Sequence, residues 1–124
     1  MTSKIKEVFS NIKAEKRKAL ITYIVSGDPD TETTIEIMNS MVQQGTDIIE
    51  LGIPFSDPMA EGISIQKGHE RALEKGVSLK GTFELLKKFR ANDKKTPIVF
   101  MGYMNTFESL GAKQFMSEAV KANL

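Results

Sequence analysis

The chain has 124 residues, of which 40% are hydrophobic and 27% are charged, and its formal net charge is +1. This is ordinary globular composition, and the near-zero charge gives no reason to expect a nucleic acid or an anionic membrane as the partner. The absence of cysteine excludes a disulfide framework and a thiolate metal site, and is typical of a reducing compartment.

Hydrophobic spacing predicts an amphipathic helix at the N-terminus, from residue 3 to about residue 16. This segment lacks the apolar core of a secretion signal, and no run along the chain reaches the roughly 18 apolar residues of a membrane span, so we expect a cytoplasmic protein. Strand-like and helix-like patterns then alternate. Strands are predicted at 20–25, 47–51 and 98–101, and further helices at 31–44, 64–75, 78–89 and 112–121.

Strands that alternate with helices predict right-handed crossovers and a parallel sheet. In such sheets, ligand chemistry takes place at the carboxyl ends of the strands. Here the three strands are followed by loops at 26–30, 52–62 and 102–107, which we expect to lie side by side at one edge of the sheet. The methionines, among them Met38, Met41 and Met116, are interpreted as core residues.

Glu50 is a carboxylate near the end of an otherwise apolar strand. Both faces of a strand in a parallel sheet are buried, so a carboxylate there is costly unless it is paired, hydrogen-bonded or used. Two interpretations stay open. Either a backbone amide or a lysine satisfies Glu50 at the sheet edge, or the residue is functional, since a partly desolvated carboxyl is suited to give and take protons near neutral pH.

Three further polar residues follow the second strand. The pattern favours Asp57 as an Asx-type turn or helix cap before Pro58, with a functional role as the alternative. Glu61 either faces solvent at the start of the next helix or folds back over the strand ends as a second carboxylate facing Glu50. His69 lies on a polar helix, where a solvated surface position is expected. The sequence contains no metal-ligand cluster, Walker-type loop or nucleophile elbow.

The segment after the second strand closely resembles a signature of the tryptophan synthase α subunit: Glu50-Leu51-Gly52-Ile53-Pro54-Phe55-Ser56-Asp57-Pro58. Further segments match the same family in chain order: Ser26-Gly27-Asp28-Pro29, Ile65-Gln66, Arg71-Ala72-Leu73, Gly76-Val77 and Tyr103-Met104-Asn105. The resemblance runs through essentially the whole chain. It implies a (β/α)₈ barrel that cleaves indole-3-glycerol phosphate to indole and glyceraldehyde 3-phosphate in tryptophan biosynthesis.

The resemblance also implies roles for individual residues. Glu50 matches the catalytic glutamate, which moves protons between indole C3 and the glycerol hydroxyl. Glu61 stands where the family carries an aspartate that accepts a hydrogen bond from the indole N–H. The positions that line the indole pocket are matched by Tyr23, which replaces a more familiar Phe, and by Ile65 and Met101.

Four loop residues match positions that face the β subunit of an α₂β₂ assembly: Pro54, Asp57, Tyr103 and Asn105. In that family the β subunit uses pyridoxal phosphate to join indole to serine. The resemblance therefore implies a β subunit as the partner and no cofactor for the α chain itself.

The length of the chain qualifies this expectation, because a (β/α)₈ barrel needs about 250 residues. We therefore expect the α/β fold of the first three strand–helix units of a TIM barrel, with residues 1–124 as the N-terminal part of one barrel domain and the barrel incomplete. The phosphate site of such barrels follows strands seven and eight, so we expect weak or no lyase activity. The alternatives are a non-catalytic piece that docks a β subunit, copies or a second chain that complete a barrel, and a different phosphate-binding barrel enzyme.

The carboxylate at position 61 gives a prediction from sequence alone. Glu is one methylene longer than the Asp of the family pattern, which moves the carboxylate by roughly 1 Å, and a misplacement of that size can cost about 10²-fold in rate. On this basis Glu61→Asp is expected to raise the activity of an enzyme built on this sequence. Equal or lower turnover of indole-3-glycerol phosphate would contradict the expectation.

Overall fold

The computed structural model describes residues 3–124, in which three strands form one parallel sheet in the order β1-β2-β3. The strands are β1 (Ile21–Val25), β2 (Ile48–Gly52) and β3 (Ile98–Met101). The helices of this part of the chain are α1 (Lys4–Ala14), α2 (Thr31–Gln43), α3 (Ile63–Glu74), α4 (Leu79–Arg90), α5 (Met104–Leu110) and α6 (Ala112–Lys121). The predicted alternation and the parallel α/β fold are confirmed.

The helix ends form where capping residues occur in the sequence. α2 begins at Asp30, whose carboxylate accepts a hydrogen bond from the Thr33 backbone N–H at 2.8 Å. It is followed by Gly45, whose φ of +107° lies in the left-handed region that favours glycine. α4 is capped by Ser78, whose hydroxyl accepts a hydrogen bond from the Gly81 N–H at 3.2 Å.

The strand register sorts the side chains of the sheet onto two faces. Glu50 is paired with Tyr23 on one side and with Val99 on the other, so these three residues form a row across the sheet on the same face. Ile49 and Leu51 point to the opposite face and are fully buried. The helices pack on that second face, which leaves the row of Glu50 on the other.

The hydrophobic core lies between the sheet and helices α2, α4 and α6. Phe83 of α4 is 1% exposed, and its ring centroid lies 5.3 Å from that of Phe100 and 5.4 Å from that of Phe115. Burial of such aromatic side chains is a large part of the stabilisation of a small domain. The buried members of this cluster include Met38, Ile49, Leu51, Leu79, Phe83, Leu85, Leu86, Phe89 and Ile98.

The face of the sheet that carries Glu50 is partly open. Ile21 is 50% exposed and Val99 is 38% exposed, although both are large apolar residues on strands. In a closed barrel this face would point inward, so its exposure fits the expectation of an incomplete barrel. Within residues 3–124, no helix is long and apolar enough to cross a membrane.

The segment after β3 differs from the sequence prediction. A loop was expected from 102 to 107, but α5 begins directly after Tyr103 and continues to Leu110. Phe107 and Leu110, three residues apart, pack against the main core. Because a helix of this length is marginal by itself, tertiary contacts of this kind decide whether it forms.

The prediction that Met116 is a core residue is wrong. On α6, Phe115 and Ala119 pack against the core, whereas Met116 is 61% exposed and Val120 is 77% exposed. The apolar stripe of α6 is wider than the surface that the described elements cover, so only one side of it is buried. Spacing alone does not reveal which side of a wide stripe finds a partner.

An ion pair at the start of β2 gives a stability prediction. Arg17 binds both carboxylate oxygens of Asp47, at 2.8 and 2.7 Å, and the Leu20 N–H donates to the same carboxylate at 2.8 Å. The hydrogen bonds from Arg17 hold the pKa of Asp47 below its usual value. Partial burial opposes this shift, and the hydrogen bond from the Leu20 N–H adds to it.

A carboxyl with a depressed pKa stabilises the folded state above its unfolded pKa of about 3.9, and this contribution is lost as the pH falls through the folded-state pKa. Asp47→Asn is therefore expected to lower the urea midpoint at pH 7, and the difference from wild type should shrink below about pH 4. Urea unfolding at several pH values checks this. A difference that does not depend on pH would mean that the charge of Asp47 contributes nothing.

Candidate active site

Glu50 lies at the carboxyl end of the sheet, on its open face. Its neighbours in the row are Tyr23 of β1 and Val99 of β3. The residue is partly buried, yet within residues 3–124 its carboxylate has no hydrogen-bond or ion-pair partner. Neither a backbone amide nor a lysine therefore binds Glu50 in this part of the chain, and its carboxylate oxygens, which are not fully buried, are open to water or to a ligand.

Glu61 folds back over the strand ends instead of facing solvent. Its side chain is only 6% exposed. The Tyr103 hydroxyl donates to Glu61 Oε2 at 2.8 Å, and the Tyr23 hydroxyl donates a longer hydrogen bond to Oε1 at 3.4 Å. The carboxylate is therefore fixed by residues that follow β3 and lie on β1, on either side of β2.

The two tyrosines are hydrogen-bond donors to this site at neutral pH. Burial raises the pKa of the Tyr23 phenol, and the nearby charge of Glu61, its hydrogen bond and the charge of Glu50 raise it further. Burial also raises the pKa of Tyr103; the Ala60 N–H opposes this and the hydrogen bond to Glu61 adds to it. Because both Glu50 and Glu61 act on the Tyr23 hydroxyl, the two carboxylates border the same region.

The loop that carries Glu61 is anchored at two points. The Ala60 N–H donates to the Tyr103 hydroxyl at 2.9 Å, and the Phe55 ring stacks on that of Tyr103 with centroids 5.0 Å apart. At the other point, the Phe55 N–H donates to Nδ1 of His69 at 2.9 Å. These contacts hold the loop backbone at both ends, so they also fix the position from which the Glu61 side chain extends.

The expected surface position of His69 is wrong. His69 is 1% exposed and lies on the buried side of α3, next to Gly68 and Ala72. A side chain at position 68 would place its Cβ 2.9 Å from Asp28 Oδ2, so glycine there lets α3 approach closely. Small residues at 68 and 72 were the available signal that this stripe of α3 is buried.

The residues that match the indole pocket border the same region. Ile65 of α3 and Tyr23 are partly buried against the second hydrophobic cluster, which includes Val25. Met101 is paired with Gly52 across the sheet, at the end of β3. The structure thus places Tyr23, Ile65 and Met101 around the strand ends near the two carboxylates.

Of the four residues that match partner-facing positions, two are exposed in the structure and two are buried or partly buried. Asp57 is exposed on the loop after β2, and Asn105 is exposed in the first turn of α5. Pro54 is buried and lines a cavity of about 340 Å³ together with Val77 and Leu110. The Tyr103 hydroxyl is directed at Glu61. The Asp57 carboxylate accepts from the Ser56 hydroxyl at 2.8 Å.

The chemistry that this arrangement allows is proton transfer. Two carboxylates and two phenols lie near the strand ends, and the Glu50 carboxylate has no partner among the described residues that a substrate would have to displace. In the part of the chain that the structure describes, no group of three or more His, Cys, Asp or Glu residues is arranged to hold a metal ion.

Comparison with known proteins agrees with this geometry. A family model described as tryptophan synthase alpha chain matches residues 9–124. The chain belongs to the tryptophan synthase alpha chain family. It is 47% identical over 122 residues to the tryptophan synthase alpha chain of Dechloromonas aromatica, an alignment that covers 98% of this chain and 46% of the relative. The chain spans about half the length of the curated relatives it matches.

Solved structures of tryptophan synthase alpha chains have the same fold. The subunit alpha of Legionella pneumophila superposes with a TM-score of 0.96 at 41% identity, which covers 99% of this chain and 47% of that one. A chain of the tryptophan synthase a2b2 complex from Pyrococcus furiosus superposes with a TM-score of 0.79 at 40% identity, over 86% of this chain and 42% of that one. The three strands and their helices therefore correspond to about half of a TIM barrel of this family.

Gly52 gives a test of the contact between Tyr23 and Glu61. A Cβ at position 52 would lie 2.2 Å from the Tyr23 hydroxyl, so only glycine lets the ring cross the end of β2. Gly52→Ala is expected to push Tyr23 away from Glu61 and to lower the raised pKa of its phenol. The chain has only two tyrosines, so their ring resonances can be assigned separately by NMR and the titration of Tyr23 followed with Tyr103 left in place.

Gly62→Ala is the matched control, because a Cβ there meets nothing within 4 Å. It should leave the Tyr23 titration unchanged. If Gly52→Ala also leaves it unchanged, Tyr23 is not held against Glu61 in solution.

Proposed function

We propose that this chain supplies the proton-transfer groups of a lyase that cleaves indole-3-glycerol phosphate to indole and glyceraldehyde 3-phosphate in tryptophan biosynthesis. The observation that carries the proposal is the Glu50 carboxylate, which is partly buried, has no partner within residues 3–124 and lies beside Tyr23 at the strand ends. A carboxylate with no partner is available to a substrate. Family membership supplies the identity of that substrate.

In the proposed reaction, Glu50 moves two protons. It protonates indole C3, and it removes the proton of the glycerol hydroxyl next to the bond that breaks. As that hydroxyl becomes a carbonyl, the electron pair of the carbon–carbon bond returns to the protonated ring and indole leaves. General acid–base catalysis of this kind contributes about 10²–10⁴-fold in rate.

Glu61 is proposed to accept the indole N–H. Its negative charge stabilises the ring once C3 is protonated, so the interaction is stronger in the transition state than in the ground state. The hydroxyls of Tyr23 and Tyr103 hold the carboxylate in place for this task. Ile65 and Met101, with the ring of Tyr23, are proposed as the apolar surface against which indole packs.

A polypeptide of these 124 residues is proposed to have little activity by itself. Its described part contains three strands, and the phosphate site of a (β/α)₈ barrel follows strands seven and eight. Residues 1–124 are proposed as the N-terminal part of one such barrel domain, and as cytoplasmic. Indole release by the isolated chain at a rate near that of a completed barrel would contradict this.

A β subunit is proposed as the partner, with Asp57 and Asn105 in the contact because both are exposed, one on the loop after β2 and one at the start of α5. One structural relative is described as part of an a2b2 complex, which supports this choice. Pyridoxal phosphate would belong to that β subunit. A pull-down in which the β subunit retains a whole relative but not this chain would count against docking through these loops alone.

The lyase proposal is best tested in a chimera, in which residues 1–124 are joined to the remaining part of the Dechloromonas aromatica relative. We expect indole release from this protein, and a loss of about 10²-fold or more in kcat for Glu50→Gln with little change in KM. Glu108→Gln, at an exposed position on α5, is the control and should be as active as the parent. A Glu50→Gln variant with activity within tenfold of the parent would refute the role of Glu50.

The contacts of Glu61 change the expectation for its shortening. Asp would withdraw the carboxylate by roughly one methylene, and the 2.8 Å hydrogen bond from Tyr103 would then become too long to form. In the same chimera Glu61→Asp is therefore expected to lower kcat, contrary to the expectation from sequence alone. Higher turnover of indole-3-glycerol phosphate by Glu61→Asp would restore the earlier expectation.

A further inference from the structure

We infer that His69 is a positioning residue for the Glu61 carboxylate and acts as the neutral imidazole with its proton on Nε2. The contact itself is independent of the reaction, whereas its consequence for catalysis rests on the proposed lyase function. Helix α3 and the loop after β2 both contribute to it, and neither tyrosine is involved directly. His69 thus ties α3 back onto the loop that precedes it.

The hydrogen bond to Phe55 determines the tautomer of His69. The Phe55 N–H donates to Nδ1 at 2.9 Å, and a nitrogen that accepts a hydrogen bond carries no proton of its own. In the neutral ring the proton must then be on Nε2. Nδ1 holds the loop backbone, and Nε2–H is left as a donor on the opposite side of the ring.

The nearest acceptor for that donor is Glu61. Nε2 is buried and has no hydrogen-bond partner of acceptable geometry within residues 3–124, while Glu61 Oε1 lies 3.5 Å away. The two side chains are 1% and 6% exposed, so water does not compete freely for either. A buried N–H without a partner is costly, and a small rotation of the carboxylate satisfies it.

The acceptor capacity of the carboxylate allows this contact together with the substrate. A carboxylate has about four acceptor positions. Tyr23 and Tyr103 occupy two of them, and His69 takes a third. One position remains for the indole N–H, and the three protein donors determine its direction. The length of Glu at position 61 is what brings the carboxylate within reach of all three.

Two substitutions of His69 separate this role from a purely structural one. His69→Asn places an amide oxygen near the position of Nδ1, so it can keep the bond from Phe55 but cannot reach Glu61. His69→Gln places an amide N–H near the position of Nε2, so it can keep a donor to Glu61. In the chimera we expect His69→Gln to retain kcat within about threefold and His69→Asn to lose about tenfold, with KM little changed.

The opposite order, with His69→Asn near the parent and His69→Gln impaired, would mean that His69 only anchors the loop and would overturn the inference. An inactive parent chimera would instead count against the proposed function, and a measurement without substrate then decides the question for His69.

That measurement is the imidazole ¹⁵N spectrum of the 124-residue chain, which contains a single histidine. We expect an unprotonated Nδ1 and a protonated Nε2, with an Nε2–H proton resonance that shifts in Glu61→Gln and stays in place in Glu108→Gln. A proton on Nδ1, a mixture of tautomers, or an Nε2–H resonance that ignores Glu61→Gln would overturn the inference.

Discussion

The hydrogen bond from Tyr103 to Glu61 is the contact on which the rest of the site depends. It joins the segment after β3 to the loop after β2, at 2.8 Å, and the same hydroxyl accepts the Ala60 N–H of that loop. The Phe55 ring stacks on Tyr103 from the other end of the loop. One side chain therefore contacts the loop near both of its ends and provides the shortest hydrogen bond to the Glu61 carboxylate.

Much of the fold follows from short-range patterns in the sequence. The three strands are short β-branched and apolar runs, and α2 and α4 are capped by Asp30 and Ser78, residue types that are common at this position. The right-handed crossover between β1 and β2 makes the two strands parallel neighbours, and their register places Tyr23 beside Glu50. Helix α5 was missed, since its seven residues form a helix only where Phe107 and Leu110 find the core.

Less of the site could be predicted from the sequence, because its contacts link distant parts of the chain. The buried stripe of α3 consists of Gly68, His69 and Ala72, and a stripe of small and polar residues produces no hydrophobic periodicity. Its burial depends on the approach of α3 to Asp28, which is a tertiary contact. For the same reason the sequence left two positions open for Glu61, and only the location of both tyrosines decides between them.

The two carboxylates also illustrate why one family residue cannot be judged apart from its neighbours. Judged by length alone, Glu61 is misplaced relative to an aspartate. Judged by its surroundings, it lies within reach of a phenol on β1, a phenol after β3 and an imidazole on α3. Glu50 has the opposite surroundings, since its row in the sheet offers one phenol already directed at Glu61 and one valine. A carboxylate held by several donors suits a fixed acceptor, and one without a partner in the described residues suits a group that changes its protonation state, so the proposed roles agree with the partners each residue has.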